Sequence, residues 1–280
     1  MQIIDAIEKV KKYYRGTFLG KPIDLETTRD KILWGNPNQE LKGIVTCIYP
    51  SVDVIRKAIE LNANLIITHE ACFWNHGDHT DWLSDNKTFQ MKTELLDSAN
   101  ICVWRNHDFI HSCMKLEDGR YTDGIFYGFM KKLNWDEYLI DGIESPVKFE
   151  LPETTVGELT QLIKSTLELN GVKVIGSLTS KVSRVWICGH IDGRADNEIL
   201  KEMEENNFDT LITLECTDYT VAEYVRDSTM LGRDKTIIAL GHFNQEEPGM
   251  EYMIHYLPDI VGKEVPCTFV KTTDMFVFQK

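Results

Sequence analysis

The 280-residue sequence lacks a basic excess, because its 30 Lys and Arg residues face 44 Asp and Glu residues and give a formal net charge of −14 at pH 7. Proteins that bind nucleic acids in general, or anionic membranes, use such an excess to neutralise phosphate groups. We therefore expect neither general nucleic-acid binding nor membrane binding. A small anionic substrate is compatible with this charge if a local positive group, such as a metal ion, holds it.

Long apolar runs and cysteine pairs are also missing. No stretch reaches the roughly 20 apolar residues of a membrane-spanning helix. The N-terminal segment mixes charged and apolar residues at helical spacing, which predicts an amphipathic helix rather than a signal peptide. The seven cysteines form no Cys-x-x-Cys pair, which disfavours a disulfide scaffold and a cysteine zinc site. These features predict a reduced, cytoplasmic protein.

Strand-like and helix-like patterns alternate along nearly the whole chain, which predicts an α/β protein. Ser51 is placed to cap a helix, and Thr155 with Glu158 forms a capping box at the start of another. We expect Thr122 to cap a further helix. The tail from Cys267 to Phe278 has a β-rich composition and is expected to be extended.

The sequence also contains an internal repeat. Residues 44–70 run through a strand and a helix to NANLIITHE, and residues 185–215 run through a strand and a helix to NFDTLITLE. We therefore predict two similar α/β halves with mixed sheets flanked by helices, residues 1–139 and residues 140–280. Residues 140–155 form an open, proline-containing stretch that marks the boundary. Within the second half, we expect residues 235–280 to return to a metal site shared by both halves.

Imidazole and carboxylate side chains follow three of the predicted strands. They form the clusters His69-Glu70, His107-x-x-x-His111 and His242-x-x-x-Glu246. Residues four apart in a helical turn lie on one face, so that both members of such a pair can reach one ion. Imidazole and carboxylate together suit Zn, Mn, Fe, Co or Ni better than Ca or Mg. The clusters therefore predict a site for divalent transition-metal ions.

The order of these motifs resembles that of the Nif-three-like dinuclear metal-binding family, which is often labelled GTP cyclohydrolase I type 2-like. The matching segments are LIITHEACFW at 65–74, HDFIH at 107–111 and GHFNQE at 241–246, supported by DKILWG at 30–35, VWICGHIDG at 185–193 and VPCTFVKTTDMFVF at 265–278. The resemblance implies a Nif-three-like fold, a dinuclear metal centre, hydrolase-like or cyclohydrolase-like activity, and a ring-shaped homohexamer.

Two positions depart from the family pattern. Glu70 stands where the family has the second histidine of a pair, and His111 stands where it has an aspartate. The exchange preserves three histidines and two carboxylates. The metal ligands that the resemblance implies are His69, Glu70, His111, His242 and Glu246. Because a histidine cannot bridge two ions as a carboxylate can, one bound ion and two bound ions remain alternatives.

Two more residues are associated with this ligand set. His107 matches a family position close to the metals, and Glu215 occupies the repeat position of Glu70. We expect each to be either an extra ligand or a residue that supports a ligand. His190 lies in a glycine-containing turn and is interpreted as having no ligand.

The sequence has no nucleophile elbow, P-loop or dinucleotide-binding fingerprint that would narrow the substrate. The sequence therefore identifies no catalytic residue. Two functions remain in competition. One is a metal-dependent hydrolase that acts on a small anionic molecule of phosphoester or nucleotide-like type. The other is a non-catalytic metal-binding adaptor or regulatory protein.

Overall fold

The computed structural model of the chain describes residues 1–18, 20–140 and 142–279. Its α-helices are α1 (Ile3–Tyr13), α2 (Val52–Glu60), α3 (Lys87–Ser98), α4 (Asp108–His111), α5 (Gly124–Leu133), α6 (Val156–Leu167), α7 (Asp196–Glu205), α8 (Val221–Met230), α9 (His242–Tyr252) and α10 (Leu257–Val261). Its strands are β1 (Thr17–Phe18), β2 (Lys21–Pro22), β3 (Ile32–Trp34), β4 (Ile44–Cys47), β5 (Leu65–Thr68), β6 (Cys102–Arg105), β7 (Met114–Lys115), β8 (Tyr121–Thr122), β9 (Lys148–Thr155), β10 (Lys173–Ile175), β11 (Lys181–Ile191), β12 (Thr210–Cys216), β13 (Thr236–Ala239) and β14 (Cys267–Phe269).

Contacts within the chain divide it into two compact units. The first unit contains residues 1–128 and 249–273, and the second contains residues 129–248 and 274–280. The sequence suggested one boundary after residue 139 instead. The difference arises because β14 pairs with β4, so that a segment near the C-terminus belongs to the sheet of the first unit.

The first unit is organised around a five-stranded mixed sheet in the order β14-β4-β5-β6-β3. All but the edge strand β3 are parallel. Strands β4, β5 and β6 are buried along their whole length, as expected for parallel strands covered on both faces. Ser51 directly precedes helix α2, and its side chain accepts a hydrogen bond from the Val54 amide, which confirms the predicted cap.

The second unit has its own five-stranded mixed sheet in the order β10-β13-β12-β11-β9. The three central strands are parallel, and both edge strands are antiparallel to their neighbours. Helix α6 begins with the predicted capping box of Thr155 and Glu158. The stretch after residue 139 is not open throughout, because it includes the eight-residue strand β9.

A common motif confirms the internal repeat. Each unit contains three adjacent parallel strands connected through helices, β4-β5-β6 in the first and β11-β12-β13 in the second. In the first unit, the Thr68 hydroxyl donates a hydrogen bond to the Glu70 carbonyl oxygen. In the second, the Thr213 hydroxyl donates to the Glu215 carbonyl oxygen. Glu215 therefore occupies the same backbone position as Glu70.

Two local expectations are wrong. Thr122 lies in β8, and the residue that caps α5 is Asp123, whose Oδ1 accepts the amides of Ile125 and Phe126. The tail from Cys267 to Phe278 forms a strand only over β14, and the rest is irregular. Apolar alternation predicted a longer strand, but the chain leaves the first unit after residue 273.

Two further properties bear on the class of protein. None of the described helices combines the length and the apolar character that crossing a lipid bilayer requires. Cys72 and Cys102 are fully buried, and burial raises the pKa of their thiols to about 11 and about 12. These thiols therefore remain protonated near neutral pH and contribute to the core.

Candidate metal centre

The carboxyl ends of β5 and β6 bring three histidines together in the first unit. His69 follows β5 directly, while His107 and His111 lie at the two ends of α4, which follows β6. Neighbouring parallel strands end at the same edge of a sheet, so the residues that follow them become neighbours. One ring nitrogen of each histidine lies within 4.8 Å of those of the other two. We refer to His69, His107 and His111 as the histidine cluster.

The rings of the histidine cluster are closely packed. His69 and His107 are stacked with ring centroids 4.5 Å apart, and His111 approaches them at 5.1 and 5.2 Å. Burial lowers the pKa of His69 well below its usual value, and the neighbouring histidines lower it further. Burial also lowers the pKa of His107, although the hydrogen bond to Asp108 opposes this shift. Both rings therefore favour the neutral form, which is the form that binds metal ions.

Every ring in the histidine cluster directs Nδ1 at an acceptor oxygen. The contacts are His69 Nδ1 with the Asn106 carbonyl oxygen at 3.1 Å, His107 Nδ1 with Asp108 Oδ1 at 3.0 Å, and His111 Nδ1 with Asp123 Oδ2 at 2.7 Å. Carbonyl and carboxylate oxygens only accept, so in the neutral ring Nδ1 carries the proton and Nε2 carries the lone pair. Histidines that bind metals commonly show this arrangement, which fixes the tautomer and the ring orientation.

Arg105, the last residue of β6, is completely buried and fixes the carboxylate of Glu70. Its guanidinium donates to Glu70 Oε2 at 3.0 Å and to Asp78 Oδ2 at 3.0 Å, and its Nε donates to the His69 carbonyl oxygen at 3.0 Å. Two carboxylates around one guanidinium compensate the charge that burial would otherwise make costly. Arg105 therefore fixes the orientation of the Glu70 carboxylate.

Asp30 fixes the start of α4 and hence the histidines at its ends. Its carboxylate accepts the His107 amide at 2.9 Å, the Asp108 amide at 2.7 Å and the Thr28 hydroxyl at 2.9 Å. Burial raises the pKa of Asp30 to about 6, while these hydrogen bonds oppose the shift. The segment DKILWG thus contributes a positioning carboxylate to the first unit.

The second unit has a comparable group, which we call the edge cluster: His190, Glu215 and His242. They lie in β11, in β12 and at the start of α9, each near the carboxyl end of a parallel strand. Glu215 binds both histidines, with Oε2 2.5 Å from His190 Nδ1 and Oε1 2.5 Å from His242 Nδ1. Burial alone would raise the pKa of Glu215, but these two hydrogen bonds hold it at about 2. The bond to Glu215 also raises the pKa of His190.

His242 is paired with Glu246 one helical turn along α9, as the spacing predicts. His242 Nε2 lies 3.2 Å from Glu246 Oε2. Since Nδ1 of the same ring faces Glu215, His242 has the same orientation as the rings of the histidine cluster. An imidazole nitrogen and a carboxylate oxygen at this separation can bind one ion together.

The structure thus places the predicted ligands in two subsets. His69, Glu70 and His111 belong to the first unit, and His242 and Glu246 belong to the second. In the first unit the ring centroids of His69 and His111 lie 5.1 Å apart. In the second unit His242 Nε2 lies 3.2 Å from Glu246 Oε2. A single centre formed by all five residues, and the number of ions bound, stay predictions.

Three residues that contribute to the two clusters carry no local sequence signal that assigns them this role: Arg105, Asp123 and His190. Arg105 and Asp123 act on residues far away in the sequence, and no local pattern indicates such contacts. His190 was interpreted as a turn residue. Its place in the repeat could have indicated its role, because it lies near the carboxyl end of the strand that precedes Glu215 in the sheet.

Two α/β units with histidines and carboxylates at the ends of parallel strands define the class of protein. The family model described as Duf34/NIF3 (NGG1p interacting factor 3) matches residues 22–275, and the chain belongs to this family. It is similar to two curated proteins named GTP cyclohydrolase 1 type 2 homolog. The one from Clostridium acetobutylicum is 23% identical over 254 residues, with 86% of this chain and 87% of the relative covered. The one from Clostridium perfringens is 24% identical over 238 residues, with 81% and 82% covered.

A solved structure shows the same fold. The Bacillus cereus protein related to NIF3 superimposes with a TM-score of 0.70 at 16% identity, and the match covers 100% of this chain and 99% of that one. At this level of identity the likeness concerns the fold alone. It confirms the Nif-three-like α/β fold that the motifs predicted.

Proposed function

We propose that this protein binds divalent transition-metal ions and uses them to hydrolyse a small anionic molecule. The observation that carries the proposal is the orientation of the histidines. In the histidine cluster and in His242, Nδ1 contacts an acceptor oxygen, so that the lone pair of a neutral ring lies on Nε2. The two clostridial relatives are named GTP cyclohydrolase 1 type 2 homolog, and these names support hydrolytic chemistry on a nucleotide-like substrate.

The donor atoms fit the proposed ions. The proposed ligands are His69, Glu70 and His111 in the first unit and His242 and Glu246 in the second. Imidazole nitrogen with carboxylate oxygen suits Zn, Mn, Fe, Co or Ni. We further propose His107 as an additional ligand and Glu215 as the acid that orients His242. The homohexamer implied by the family resemblance is also a proposal, and light scattering of the purified protein measures it.

The chain's own residues would position these ligands. A bound divalent ion supplies Lewis acidity and lowers the pKa of a bound water molecule. Asp123 holds the ring of His111 through its Nδ1 proton, and Arg105 holds one oxygen of Glu70. Asp30 fixes the backbone from which His107 and His111 project. These contacts limit the motion of the ligands before a metal ion arrives.

Metal analysis of the purified protein tests the proposal. We expect at least one transition-metal ion per chain, with a large loss in both His69→Ala and His242→Ala. His255→Ala, which changes an exposed histidine outside both clusters, is the matched control and should keep its metal. A native protein that contains no metal and takes up none from Zn²⁺ or Mn²⁺ solutions would contradict the proposal.

Turnover separates a hydrolase from an adaptor. We expect a panel of phosphoesters and nucleotides to include a substrate whose hydrolysis depends on added metal and falls strongly in Glu246→Ala. Hydrolysis that survives removal of the metal contradicts the catalytic role of the ion. Metal binding without turnover on any member of the panel favours the alternative, a metal-binding adaptor or regulator.

A further inference from the structure

A cavity of about 310 Å³ lies in the second unit, at the carboxyl ends of β12 and β13. Leu214 and Ala239 line it from these strands, and Phe276 and Phe278 line it from the C-terminal segment. We call it the tail pocket. In open α/β sheets, ligands bind at this edge, and small-molecule sites are typically apolar cavities with a few polar groups.

The aromatic wall of the tail pocket is fixed by specific contacts. Asp274 accepts the Asn170 amide at 2.9 Å and the Phe276 amide at 3.0 Å, and the Asn170 side chain donates to the Phe276 carbonyl oxygen at 2.7 Å. A Cβ atom at Gly171 would lie 2.6 Å from the Phe278 ring, so the glycine makes room for this side chain. The two phenylalanines are thus held in place although both are partly exposed.

The acids of the tail pocket and its cation differ in their contacts. Its acids are engaged in hydrogen bonds, since Glu215 binds two histidines and Asp274 accepts backbone amides. The cation Lys173 lies on the wall, with Nζ 5.9 Å from the Phe276 ring centroid. His242, a proposed metal ligand, also lines the cavity. Lys173 would therefore attract the anionic group of a ligand, and it lies beside an aromatic surface.

We infer that the tail pocket binds a small aromatic anion, whose planar body contacts Phe276 and Phe278 and whose anionic group lies at Lys173. The cavity volume accommodates a bicyclic ring system. This ligand would belong to the substrate class of the proposed hydrolase. Only the role of His242 as a metal ligand rests on the proposed function. The binding step itself requires no metal ion, so it can be measured separately from the metal centre.

Calorimetric titration of 2-naphthoate into the chelator-treated full chain tests the inference, with neutral 2-naphthamide as the second probe. We expect 2-naphthoate to bind, and Phe276→Ala to weaken it by about tenfold, because one aromatic contact is lost. Lys173→Gln should weaken 2-naphthoate and leave 2-naphthamide unchanged. Val277→Ala is the matched control, since Val277 lies between the two phenylalanines, is 91% exposed and does not line the pocket.

Two results would overturn the inference. One is no binding of 2-naphthoate to the wild type. The other is equal affinity for 2-naphthoate in the wild type and in Phe276→Ala; if the assembly mass of this variant also changes, the aromatic segment is a protein interface. Metal content measured on the same variants tests the proposed metal centre independently of probe binding. A native protein that contains no metal, takes up none from Zn²⁺ or Mn²⁺ solutions and still binds 2-naphthoate would refute the metal proposal and leave the pocket standing.

Discussion

Asp123 combines two tasks that substitution can separate. Its Oδ2 lies 2.7 Å from His111 Nδ1, while its Oδ1 caps α5 by accepting the amides of Ile125 and Phe126. Asparagine is an equally good helix cap but has no negative charge to hold the imidazole proton. Alanine removes both contacts. Comparison of Asp123→Asn with Asp123→Ala therefore distinguishes the orientation of His111 from the stability of the helix.

The expected magnitudes differ between these two effects. Loss of a carboxylate that orients a metal-binding histidine lowers metal affinity by about 10- to 100-fold, or about 1.4 to 2.7 kcal/mol. We expect this loss in both Asp123 variants. Loss of a helix cap costs about 1 kcal/mol of the free energy of unfolding, and we expect it only in Asp123→Ala.

Competition with a chromophoric chelator measures the affinity for Zn²⁺, and urea unfolding of the metal-free protein measures stability. Asn86→Ala is the matched control, because Asn86 caps α3 by accepting the Phe89 amide and lies outside both clusters. It should lose stability and keep its metal affinity. If Asp123→Asn binds Zn²⁺ as tightly as the wild type, the argument from ring orientation is wrong.

Three further predictions concern stability. Asp30→Ala should lower the free energy of unfolding by about 1–3 kcal/mol in urea titrations, because amides at the start of α4 lose their acceptor; an unchanged value would contradict the positioning role. Gly35→Ala should destabilise more than Gly20→Ala: both have positive φ, but a Cβ atom at Gly35 would lie 2.3 Å from the Ile101 carbonyl oxygen, whereas Gly20 has open space. Metal at one hundred times its Kd should stabilise the wild type by about 2.7 kcal/mol in thermal unfolding. The same addition should stabilise His69→Ala much less, and equal stabilisation would exclude His69 as a ligand.

Local features of the fold were predictable from the sequence. The cap at Ser51 and the capping box of Thr155 and Glu158 depend on side chains and amides three residues apart. The contact of His242 with Glu246 depends on one helical turn. Such signals lie within a few residues of each other, so a single sequence is enough to identify them.

Contacts made by the folded chain were not predictable. Arg105 is a polar residue at the end of an apolar strand, and its partners Asp78 and Glu70 are 27 and 35 positions away. Thr122 and Asp123 were both suitable caps by residue type. The structure has Asp123 in this role, with its second oxygen bound to His111. Strand pairing decides which of two suitable residues caps the helix, and the sequence alone does not specify that pairing.

The central claim is that metal ions bind at the Nε2 atoms of the strand-end histidines. Anomalous diffraction at the zinc absorption edge, from crystals grown with Zn²⁺, tests it most directly. The account predicts anomalous peaks about 2.0–2.1 Å from Nε2 of His69, His111 and His242, with the Nδ1 contacts to their acceptor oxygens preserved. Peaks on the Nδ1 atoms, or a crystal of Zn²⁺-treated protein without a peak at any of these residues, would contradict it.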